Sequence, residues 1–162
     1  MDYSDAQNLI GDLADDARRA AGEAYPLLYL FENSMRVVIS RVLSAEFGKD
    51  WWDQVPQAVR DKAQENKDRE RREKWHTPRG SDPIQYVDLM DLSTIIVNRK
   101  LWPHFEPLFP RKDWVSNLVH DFNISRRIVA HMNALPQGEI PGLRAAFRKW
   151  MLQLKSGEDQ VG

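Results

Sequence analysis

The 162-residue chain has no cysteine. That excludes a disulfide framework, thiolate zinc sites, thiol catalysis and redox switching. An excess of one charge is also lacking: 23 Lys and Arg face 24 Asp and Glu, for a formal net charge of -1. Global attraction to nucleic acid or to an acidic membrane is therefore not expected, and a local patch would have to supply it. No apolar run approaches the ~18 residues that a membrane span needs, so no membrane partner is expected. The first residues, Met-Asp-Tyr-Ser-Asp-Ala-Gln, are acidic and resemble neither a secretory signal nor a transit peptide. A cytoplasmic protein is the expectation. The common local signatures are missing as well: there is no glycine-rich phosphate loop, no His-Glu-x-x-His pair, no nucleophile elbow and no calcium loop. The histidines His76, His104, His120 and His131 are scattered, with no two four residues apart. No metal and no other cofactor is expected.

What is present is an ordinary folding composition, 42% hydrophobic and 29% charged. The length suits one domain with a core that needs no cross-links. No segment alternates with period two; the apolar residues recur at helical steps instead. The stretch from Asp2 to Glu23 has a local net charge of -4, and Leu9, Ile10, Leu13 and Ala17 give it a helical stripe that Gly11 weakens. Pro26 to Phe47 is the clearest helix, with Leu27, Leu30, Phe31, Met35, Val38, Ile39, Val42 and Leu43 in register and Gly48 as its stop. Pro56 to Lys74 reads as a solvated helix, since only Ala63 is apolar from Arg60 onward. Thr77 to Pro83 is a loop, and Asp82 before Pro83 can cap a helix from about Ile84 to Lys100. Trp102 to Pro110 is an irregular connector with room for a helical turn. Asp113 to Leu135 is helical, either as one rod or as two helices broken where Asn123 or Ser125 can act as a cap. Gly142 to Leu154 forms the last amphipathic helix. The expectation is an all-α compact bundle of five to seven helices. Residues 1–24 form an acidic N-terminal helix, 25–154 the bundle, and 155–162 a flexible tail.

The stretch richest in chemistry is Asn123-Ile-Ser-Arg-Arg-Ile-Val-Ala-His131. Histidine titrates near neutrality and can exchange a proton with a ribose 2′-OH or a leaving 5′-oxygen. Arginine stays charged and can grip a phosphate through two donors, stabilising a phosphorane-like state. Arg127 shares a helical face with His131, whereas Arg126 lies about 140° from it on an ideal helix. Convergence of Arg126 with His131 requires an irregular helix start near Ser125 or the reach of the long side chain. Such a start would also bring the positive end of a helix to the site. The bland alternative is a solvated basic face with a surface histidine. From Asn123 to Lys149 the residues Arg126, Arg127, Arg144, Arg148 and Lys149 oppose only Glu139, a local excess of +4 along which RNA could lie. Glu32 and Arg36, one turn apart, read either as an intrahelical ion pair or as a pair in which Glu32 orients Arg126 or Arg127. The six tryptophans read as core or interface, with Trp75 the exception to watch for RNA contact.

The Arg-Arg-Ile-Val-Ala-His segment resembles the signature of the HEPN superfamily, an arginine followed at four to six residues by a histidine. Tyr25 to Ile39, containing Glu32 and Arg36, resembles that family's helix with a glutamate four residues before an arginine. Gly48-Lys-Asp-Trp-Trp and Tyr86 to Trp102 follow in the order of one subgroup, which accompanies PIN-type endoribonucleases in transcript surveillance and occurs in prokaryotic defence-like proteins. The resemblance covers roughly residues 25–135. It implies a helical bundle that forms a symmetric homodimer, with the two signatures facing across a cleft. Active members resemble metal-independent endoribonucleases, and others serve as inactive interaction or RNA-binding domains, in defence or toxin–antitoxin settings among others. On that basis Arg126 and His131 are the expected catalytic pair, Arg127, Glu32 and Arg36 support them, and Arg127, Arg144, Arg148 and Lys149 bind single-stranded RNA. Arg127 departs from the small polar residue usual after the signature arginine, which puts turnover in question. The alternatives are an inactive dimerisation or docking module, or an adaptor whose acidic N-terminal helix binds a basic protein partner.

Overall fold

The computed structural model describes residues 5, 8, 9 and 11–161, and those residues form helices and turns with no strand among them. Helix α1 spans Leu13–Arg19, and a π-helical turn, Ala20–Ala24, carries it without interruption into α2, Tyr25–Phe47. Pro26 falls in the first turn of α2, where its missing N–H costs nothing. The N-terminal segment differs from the expected single helix. Gly11 adopts φ +62°, so a turn precedes α1. The expected apolar stripe is not the buried one: Leu9 and Leu13 are exposed, Ala14 is buried, and Ile10 lies outside the described residues.

Helix α2 is the axis of the fold. Leu28, Phe31, Met35, Val38, Ile39 and Leu43 form its buried face at helical spacing. It ends at Gly48, whose φ of +68° few other residues would adopt. A 3-10 turn, Gly48–Gln54, folds back on it and holds the half-buried Trp51 and Trp52 against each other edge to face. Helix α3, Gln57–Arg72, buries only Val59 and Ala63, as its polar sequence implies.

The expected helix from Ile84 to Lys100 is two elements. A 3-10 turn, Pro83–Tyr86, is followed by extended residues Val87 and Asp88 and then α4, Leu89–Val97. Asp88 is the reason: its carboxylate accepts from the Asp91 N–H at 3.1 Å, and the Asp91 carboxylate accepts from the Asp88 N–H at 3.1 Å. This reciprocal cap starts a new helix six residues later than the Asp82–Pro83 pair suggested. Burial pushes the Asp88 carboxyl up, but the Lys62 ammonium at 2.6 Å and the Asp91 N–H hold it below its ordinary value. Burial would lower the Lys62 pKa, but the carboxylates of Asp88 at 2.6 Å and Asp91 at 2.8 Å raise it.

A short α5, Trp102–Phe105, lies in the proline-rich connector. Helix α6, Lys112–Ala130, is one unbroken rod; Asn123 and Ser125 cap nothing, and Ser125 is buried within it. Of the two alternatives the single rod holds, because Val115, Leu118, Val119 and Phe122 keep one continuous face in the core. Helix α7, Glu139–Val161, starts three residues before Gly142 and continues past Leu154.

The core joins α2, α4, α6 and α7. Its densest part is aromatic. Trp150 is fully buried and stacked on Phe109 at 5.2 Å, with Phe31 edge-on at 5.2 Å. The Trp150 indole N–H donates to Ser34 Oγ at 2.8 Å, satisfying its one donor. Phe31 stacks in turn on Phe122 at 3.8 Å, which locks α2 to α6. That packing fixes the depth and rotation of the C-terminal half of α6, where the signature residues lie.

Candidate functional site

An open cleft of about 570 Å³ lies where the N-terminal half of α2, the loop before α4 and the end of α6 meet. Tyr25, Tyr29, Glu32, Asn33 and Arg36 enter it from one face of α2, Arg79 from the loop, Gln85 from the 3-10 turn, Arg126, Val129 and Ala130 from α6, and Met132 from just past its end.

The three arginines differ in how far the fold already uses them. Arg36 is a structural clamp. Its Nε donates to the Ile84 carbonyl at 3.2 Å and Nη1 to Asn33 Oδ1 at 3.1 Å. Its Nη2 donates to Glu32 Oε1 at 2.6 Å and to the Val87 carbonyl at 3.0 Å. It therefore pins α2 to residues 84–87 and has little capacity left. Arg79 is held from behind. Its backbone N–H donates to Glu70 at 2.8 Å, its Nε to the same carboxylate at 3.1 Å, and its guanidinium sits 5.1 Å above the Tyr86 ring. Burial alone would raise the Glu70 carboxyl; the Arg79 N–H, charge and side chain, with the Tyr86 hydroxyl, hold it below its ordinary value. Among the described residues Arg126 makes only the longer ion pair from Nε to Glu32 Oε2, at 3.8 Å, and its side chain is 38% exposed. Its guanidinium has no hydrogen bond among the described residues, so its fork of donors remains available. Glu32 thus touches both Arg36 and Arg126, the contact sought between the α2 pair and the signature arginine. Arg127 has no such contact.

His131 does not line the cleft. It is the exposed C-cap of α6, its N–H bonded to the Arg127 carbonyl at 3.0 Å. Because α6 is regular through Ser125, Arg126 and His131 remain on different faces, and within one chain the structure does not bring them together. The expected helix N-terminus is overturned too. The signature lies at the C-terminal end of α6, where the free carbonyls present negative rather than positive potential. Arg127 is exposed and does not line the cleft. Arg144 is engaged by Glu23 at 2.9 Å, and Arg148 and Lys149 are exposed on α7; none of the three lines the cleft. Trp75 is 82% exposed, in the loop that leads to Arg79.

Sequence reasoning missed the cleft's other members. Arg79 and Gln85 are distant in sequence from the rest; the short 3-10 turn brings in Gln85, and the bonds to Glu70 bring in Arg79. Tyr25 and Tyr29 carried a readable signal, since both fall at i−7 and i−3 from Glu32 on the same helical face. No group of His, Asp and Glu that could hold a metal ion occurs among the described residues. No helix among them is long and apolar enough to cross a membrane.

An all-α bundle of this kind is the fold of a HEPN domain. The chain belongs to the Swt1-like HEPN family, whose family model matches residues 27–151. A search of the curated proteins and one of the solved structures found no match.

Proposed function

We propose that this HEPN domain is a metal-independent endoribonuclease acting on single-stranded RNA in the cytoplasm, with its site completed by a second copy of the chain. The observation that carries the reading is Arg126: a guanidinium aimed into an open cleft, held through one edge by Glu32 and otherwise free to take a phosphate. A phosphodiester on Arg126 would have its developing negative charge stabilised by fixed donors. His131 is exposed at the end of the same helix and able to move a proton to or from the reacting oxygens. Within one chain the two diverge, so the reading requires the two signatures to face each other in a symmetric dimer. The histidine of one chain and the arginine of the other then act on one phosphate.

The test is incubation of a labelled single-stranded RNA pool in EDTA with wild type, Arg126→Ala and His131→Ala. Cleavage by wild type alone, leaving 2′,3′-cyclic phosphate ends, is expected, with the protein sedimenting as a dimer. Cleavage that survives loss of His131 would refute the assignment. A second reading, an inactive dimerisation or docking module, is favoured by the separation of Arg126 and His131 in the single chain. It predicts a dimer that cleaves nothing.

A further inference from the structure

The outer rim of the cleft contains two aromatic rings that the fold does not need. Tyr25 is 56% exposed and Tyr29 53% exposed, although their neighbours Leu28 and Phe31 are in the core. Their ring centroids are 5.9 Å apart and their planes are tilted by 32°, so neither ring covers the other. Neither hydroxyl has a hydrogen-bond partner among the described residues. They stand one helical turn apart on the α2 face that continues to Glu32, with the guanidinium of Arg126 in the same cleft.

From this arrangement we infer that Tyr25 and Tyr29 form a stacking wall for an unpaired RNA base whose flanking phosphate rests on Arg126 and Arg79. The inference rests on the RNA reading above and adds to it how the strand is held. Aromatic faces beside a cationic groove are the physical requirement for gripping single strands, because every base has a π-face and every linkage a phosphate. A base-paired strand has its bases stacked on one another and cannot use the wall. The volume of about 570 Å³ lies within the range of small-ligand clefts, enough for a nucleotide unit rather than a duplex. Glu32 supports the same orientation. Its Oε1 is occupied by Arg36, while Oε2 makes only the 3.8 Å ion pair and can still accept from a ribose hydroxyl or a base amino group. Its negative charge would also keep a phosphate toward the arginine ends and away from the α2 side of the cleft.

Binding of a fluorescein-labelled 2′-O-methyl oligoadenylate tests this without any cleavage, since that probe lacks the attacking hydroxyl. Fluorescence anisotropy should show Tyr29→Ala and Tyr25→Ala each weakening affinity about fivefold or more. Tyr29→Trp should retain it, because the flat face is kept. An oligomer of abasic ribose phosphates should bind wild type and Tyr29→Ala alike. Both rings are half in solvent, so unchanged thermal melting of the variants is expected and separates a binding effect from a folding one. Alanine variants that bind as wild type does, while Arg126→Ala loses the probe, would overturn the stacking wall and leave the RNA reading standing. Failure of wild type itself to bind the probe would overturn both.

Discussion

Met132 is the one described residue other than glycine with a positive φ, at +57°. It occupies the position just past the C-cap of α6. The Asn133 N–H bonds the Ile128 carbonyl at 3.0 Å, and the Met132 N–H bonds the Val129 carbonyl at 3.0 Å. That pair of bonds is a Schellman motif, which normally places glycine where Met132 stands. A left-handed conformation costs a residue with a Cβ roughly 1–2 kcal/mol. Replacement by glycine removes that cost but adds ~0.5–1 kcal/mol of backbone entropy to be lost on folding. The side chain is 90% exposed, so truncating it sacrifices almost no burial. Met132→Gly should therefore stabilise the protein by roughly 0.5–1 kcal/mol, and Met132→Asn, which tolerates the same conformation, by a similar amount. For a chain of this size that is a rise in Tm of about 1–4 °C, measurable by calorimetry. Met132→Ala retains the Cβ and should show no gain. Glycine and asparagine variants that melt at or below the wild-type temperature would refute the reasoning, because the strain would then not be present in solution.

Three further outcomes follow from the packing and the charges. Arg36→Met should destabilise by about 2–4 kcal/mol in urea unfolding, since it leaves the Ile84 and Val87 carbonyls and Glu32 without their donor. Trp150→Ala should cost about 3–5 kcal/mol in the same assay, by opening a cavity between Phe31 and Phe109. The third concerns pH. Asp88 has a depressed folded pKa, so its stabilisation is complete above the ordinary value of 3.8 and is lost as pH falls through the folded value. Lys62→Met removes the cation responsible, and the fall in Tm between neutral and acid pH should be smaller in that variant than in wild type.

The parts of the fold that the sequence made legible were those where one apolar face runs unbroken. The register of α2 from Phe31 to Leu43 and its stop at Gly48 both follow from local rules, whereas Leu30, read into the stripe, is exposed and Leu28 holds the buried position. At Asn123 and Ser125 the same logic left one rod and two helices both open. Cap-forming residues there are overruled by the burial of Phe122 and Ser125 in a rod that α2 and α4 hold straight. Asp82–Pro83 looked like the stronger helix start, but the reciprocal Asp88–Asp91 cap decides the matter, and its strength depends on Lys62 reaching over from α3. The candidate site was legible only in part. The link between Glu32 and Arg126 could be anticipated from a glutamate beside so apolar a stripe. The divergence of His131 from Arg126 followed from helix geometry, because α6 is regular through Ser125; the left-handed methionine that ends the helix just after it is what no local pattern marks. Arg79 joins the cleft through its bonds to Glu70, nine residues away across a loop, and such a closure leaves no periodic trace.

Glu32 divides its two oxygens between unlike tasks: one anchors the clamp that holds α2 to residues 84–87, the other faces Arg126. On the proposed reading, folding and function therefore share a single carboxylate, and a change at that position touches both. Arg126 carries no comparable structural duty. On that reading, a relative that does not use RNA would be free to drift at the position of Arg126 yet would still need the glutamate and arginine at 32 and 36. The order in which these residues are lost would then separate domains that have given up a reaction from domains that have given up the fold's own fastening.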